Sequence, residues 1–91
     1  MPTLHMMPQL STRMAENLLH AWTSGDAARV EAEVQRSLSI STDVEDVWEQ
    51  ERRYVLHAVA VKIRVLLDVP RWGDPALEVC SRLLGHLVSP S

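Results

Sequence analysis

The chain has 91 residues, 46% of them apolar, with a net charge of −3, three glycines and a single cysteine. That describes one small domain with too much apolar content for disorder, no internal disulfide framework, and no concentrated positive field of the kind that displaces counterions from phosphates. A domain of this size buries only a little over ~60% of the surface its unfolded chain exposes, so so high an apolar fraction points to a core completed by a second chain.

Residues 1–8, MPTLHMMP, read as an extended arm bounded by Pro2 and Pro8, ahead of a single helical domain over 9–91. The arm has neither the basic residue nor the apolar run of a signal peptide, and no stretch reaches the ~18 apolar residues of a membrane span, so the expected location is the cytoplasm. Eight arginines against one lysine fit a GC-rich bacterial or phage genome. Leu4, Met6 and Met7 give the arm adaptable apolar side chains suited to a partner's groove, with simple fraying as the alternative.

The first helix is expected over about 9–23, with Leu10, Met14, Leu18, Ala21 and Trp22 on one stripe and Gly25 as its stop. A second, over about 26–38, starts at Ser24 or Asp26 and carries Ala27, Val30, Val34 and Leu38. The short connection makes the two an antiparallel hairpin. A long third helix is expected over 43–69, where Thr42 and Glu45 have capping-box spacing and acidic residues suit the positive end of the dipole. Its apolar positions are Val44, Val47, Trp48, Tyr54, Val55, Ala58, Val61 and Val65, and Pro70 ends it. A fourth helix is expected over 75–88, with Asp74 as N-cap and Pro75 at the first helical position. Its stripe is Ala76 (or Leu77), Cys80, Leu83, Leu84 and Leu87.

The segment AVAVKIRVLLDV, residues 58–69, also alternates like a half-buried strand. A lone strand has nowhere to send its backbone hydrogen bonds, whereas the helix needs only itself, so the sequence predicts helix unless a second chain pairs with it. As a helix, this half is apolar nearly all round and must be surrounded. Three short amphipathic helices cover about one broad face of it, which leaves the rest to a second copy or a different partner. The expectation is therefore an all-α homodimeric bundle, with the interface at Val47, Tyr54, Val55, Ala58, Val61 and Val65. Acidic residues from Asp43 to Glu51 precede the basic Arg52, Arg53, Lys62 and Arg64, which fits an antiparallel pairing about a twofold near Tyr54–Ala58, or else acids that only cap the helix and bases that only snorkel.

Chemistry is sparse. No two His or Cys residues have the i, i+3 or i+4 spacing of helical metal ligands, so neither metal nor cofactor is expected. Glu16 and His20 are better read as helix neighbours, and Cys80 as a small buried hydrophobe. A Cys80–His57 nucleophile pair has no sequence signature to support it. Three glycines and short connections leave little loop for a catalytic cleft, so no enzymatic activity is expected. Arg71 and Trp72, in the connection PRWGDP, are residue types enriched at binding hot spots, although a loop tryptophan also folds back over a core. The expected function is a small regulator that binds and occludes another protein, as an inhibitor, anti-activator or chaperone does. The rivals are a DNA-binding regulator using the first two helices and a small-ligand binder at the dimer seam near His57 and Cys80.

Overall fold

The computed structural model describes residues 9–68 and 75–88, and they form four α-helices: α1 (Leu10–Ser24), α2 (Ala27–Ser39), α3 (Val47–Leu67) and α4 (Pro75–Val88). The fold is all-α, and residues 58–67 are helical with no strand among the described residues. The arm with Leu4, Met6 and Met7, the connection with Arg71 and Trp72, and the cap residue Asp74 lie outside the described residues.

Local chemistry sets most of the ends. Gly25 adopts φ 75°, the left-handed conformation that only glycine takes without strain, and its N–H returns to the Trp22 carbonyl at 3.3 Å. One residue later the Asp26 carboxylate accepts the Arg29 N–H at 3.2 Å and starts α2. The chain therefore reverses within two residues, and α1 and α2 pack as a hairpin. Around the bundle α1 packs on α2, α2 on α3, α3 on α4 and α4 back on α1, while α1 and α3 meet across the diagonal.

The start of α3 differs from the capping-box expectation. Thr42 does not cap it; Asp46 does, accepting the Trp48 and Glu49 N–H groups at 3.0 and 3.3 Å. The segment 40–46 instead crosses from α2 along the flank of α3. Arg53 Nη1 donates to the Ser41 carbonyl at 2.8 Å, and His57 Nε2 lies 3.0 Å from the Ile40 carbonyl. A helix begun near residue 43 would leave only a few residues to make that crossing. Asp43 and Glu45 are thus exposed loop residues rather than first-turn charges.

The core is built from Ala15, Leu18 and Ala21 of α1, Val30 and Val34 of α2, and Cys80, Leu84 and Leu87 of α4, closed over Leu56, Val59, Ala60, Ile63 and Leu66 of α3. Several expected core residues sit elsewhere. Leu10, Ala27 and Leu83 are exposed, and Trp22 is only partly buried against the core. Trp48 is 46% exposed, with the Arg52 guanidinium carbon 4.5 Å from its ring centroid. On α3 the face turned inward is that of Glu49, Arg52, Leu56, Val59, Ala60, Ile63 and Leu66.

Candidate functional site

Two features of α3 stand out, and they lie on opposite sides of it. The inward side begins with a polar cluster. Residues Glu49, Arg52, Leu56, Val59, Ile63 and Leu66 recur at threes and fours and are all buried. Glu49 and Arg52 are the two charged members, and both are put to internal use.

Gln9 stands at the cap position before α1 and its side chain caps nothing, so the first N–H groups of the helix need partners from elsewhere. Glu49 supplies one: its carboxylate accepts the Ser11 N–H at 2.9 Å, and also the Ser11 hydroxyl at 2.7 Å. Arg53 donates to the same carboxylate at 2.8 Å. Burial pushes the Glu49 carboxyl up, but the Arg53 and Ser11 hydrogen bonds outweigh it and hold the group below the ordinary carboxylate value. Arg52 donates through Nε to the Ser11 hydroxyl at 3.0 Å and through Nη2 to the Thr12 hydroxyl at 2.9 Å and to the Leu87 carbonyl. Burial lowers the Arg52 value, and the negative charge of Glu49 partly opposes this. The cluster thus caps the start of α1 and the end of α4 from one turn of α3. It also fixes the topology, because the N-termini of α1 and α3 meet the C-terminus of α4 at one end of the bundle.

The outward side is apolar. Val47, Tyr54, Val55, Ala58, Val61 and Val65, the residues expected at a dimer interface, share it and are exposed, Val55 at 37% and Val47 at 65%. Val79 and Leu83 of α4 extend this surface and are exposed as well. Between the two helices runs a groove lined by Val55, Ala58, Val59, Lys62, Val79, Cys80 and Leu83, almost wholly apolar. Cys80 is buried on its floor; burial pushes its thiol up, and the Lys62 charge draws it part of the way back. Large contiguous apolar patches of this kind are uncommon on monomers and mark contact surfaces.

The other candidates are not brought together. His57 is committed to the Ile40 carbonyl and does not line the groove over Cys80, so the two form no nucleophile pair. Glu16 and His20 are both exposed on α1. No three His, Cys, Asp or Glu side chains converge among the described residues. Arg52 and Arg53, expected to serve the antiparallel charge pattern between chains, are engaged within this one, and so is Glu49. Sequence reasoning missed this cluster because its partners lie 35 to 41 positions apart.

No family model, curated protein or solved structure matches the chain. No helix among the described residues is long and apolar enough to cross a membrane.

Proposed function

We propose that the protein is a small non-enzymatic regulator that binds another protein and occludes the surface it covers. The observation carrying this reading is the outward apolar face of α3, continued by Val79 and Leu83 of α4. Such a face offers area rather than chemistry. It can seat an amphipathic helix or an apolar edge of a target and exclude water from it, as helix-in-groove recognition does. Valine side chains on a helix are stiff at χ1, so little rotamer entropy is lost when they are covered. A cytoplasmic, bacterial setting fits the arginine-rich, singly cysteinyl composition.

The test is capture from a lysate of the source organism with three immobilised proteins: wild type, Val61→Glu, and the control Ala32→Glu on the exposed side of α2. A carboxylate at Val61 would have to be desolvated against the target. The expected result is one stoichiometric partner held by the wild type and the control and lost with Val61→Glu. Equal capture by all three, or by none, would overturn the reading.

A further inference from the structure

We infer that, in the free protein, a second copy of this chain covers the outward face of α3, running antiparallel to the first. The inference rests on the reading that this face is the binding surface, and it names the occupant that any other target must displace.

Three observations specify that occupant. The first is spacing. Val47, Tyr54 and Val61 are seven residues apart, as are Glu51, Ala58 and Val65, and each of the second set lies three residues before or four after one of the first. That is the seam of a two-stranded coiled coil. All are exposed on one helix that is about 31 Å long at 1.5 Å per residue.

The second is self-complementarity of shape. In an antiparallel register centred on Leu56, the bulky Tyr54 of one copy falls opposite the small Ala58 of the other, and Val47 falls opposite Val65. A parallel pairing would set Tyr54 against Tyr54 and leave a gap at Ala58.

The third is charge. With Glu49, Arg52 and Arg53 used inside the fold, the exposed charges along the seam are Glu51, on the seam before its midpoint, and Lys62 and Arg64, flanking it after the midpoint. Antiparallel packing brings Glu51 of each copy beside Lys62 and Arg64 of the other; parallel packing would set like against like. Asp68, at the far end, is the exception to this pattern, and it sits where solvent screens it. The exposed Val47, Tyr54, Val61 and Val65 of α3 and Val79 and Leu83 of α4 are each 38–65% exposed, and a second copy would cover them together. The consequence is regulatory: dimer and target use one face, so self-association and target capture exclude each other.

The experiment is sedimentation equilibrium of the full chain over about 1 to 200 μM, at low and high salt, with helical content checked by circular dichroism. The wild type should dimerise, and Val61→Glu should abolish the dimer. Glu51→Lys, which turns four attractive contacts, two at each end of the seam, into repulsive ones, should weaken it about tenfold at low salt and less at high salt. Lys62→Glu/Arg64→Glu should do the same, and mixing it with Glu51→Lys should restore association as a mixed dimer. Parallel packing would leave Glu51→Lys as well associated as the wild type, and that result would overturn the register. A wild type monomeric throughout, or a dimer indifferent to Val61→Glu, would overturn the inference. Loss of target capture in Val61→Glu would still uphold the binding reading in either case, so the two stand or fall separately.

Discussion

Replacing Glu49 by Gln tests the inward side of α3, because it keeps the shape of the side chain and removes its charge. The carboxylate accepts three hydrogen bonds, two from Ser11 and one from Arg53, and is 3% exposed. Gln keeps one acceptor oxygen but turns an NH₂ group toward those same donors. Charge-assisted bonds are each worth about 1.5–3 kcal/mol, and the substitution also leaves Arg52 and Arg53 without their anion, so the expected loss is about 3 kcal/mol. A 91-residue domain has about 5–14 kcal/mol in all, so the loss is large. Urea unfolding at neutral pH measures it, with Glu45→Gln, on the exposed loop, expected to stay within about 0.5 kcal/mol of the wild type. The pH dependence adds a second signature. The native carboxyl lies below its ordinary value near 4.5, so its stabilisation is fully present above that pH and is lost as the pH falls through the lowered native value. The glutamine variant has nothing to protonate, so the gap between the two proteins should narrow in acid. A loss under about 0.5 kcal/mol at neutral pH, or a gap unchanged at about pH 3, would refute the assignment of Glu49 as the cap of α1.

Two further outcomes follow from the helix starts and the core. Asp46→Ala should cost about 1 kcal/mol in the same urea assay and Thr42→Ala under about 0.5 kcal/mol; the reverse order would return the cap of α3 to Thr42. The Cys80 thiol, buried with its value raised, should react slowly with a thiol reagent in the native state and rapidly in urea, and native labelling as fast as that of the unfolded chain would place it outside the core.

The short-range parts of this structure were readable in the sequence. Gly25 followed by Asp26 is a stop and a start with a mechanism each, and α1 and α2 fall within a residue or so of their expected bounds. Pro75 opens α4 for the same kind of reason. The start of α3 was harder, because Asp43, Asp46 and Thr42 are all good N-caps and only the crossing from α2 selects among them. The burial of Glu49 and Arg52 was not readable at all. Nothing local distinguishes them from the exposed Glu51, since what fixes them is the orphan N–H of Ser11 and the carbonyl of Leu87, both on other helices.

On α3, hydropathy periodicity alone does not decide which apolar face turns inward. Between Val55 and Leu66 two interleaved sets of apolar residues recur at helical spacing, so the hydropathy pattern has no preferred side. The polar residues break the tie. Toward the N-terminal end, Glu49 and Arg52 turn inward because two helix ends there need an anion and a cation, and once they are inside, the helix has no rotation left that could bury Val47, Tyr54, Val61 and Val65 as well. The outcome follows from geometry: with Glu49 and Arg52 turned into the bundle, α3 must present Val47, Tyr54, Val61 and Val65 to whatever lies outside. Exposing that stripe to water leaves on the order of 25 cal/mol per Å² of apolar area ungained. A second helix laid along it recovers that energy without disturbing the buried cluster. The buried Glu49–Arg52 cluster and the outward valine stripe of α3 are therefore one feature, and weakening the first by Glu49→Gln should loosen the platform on which the second depends.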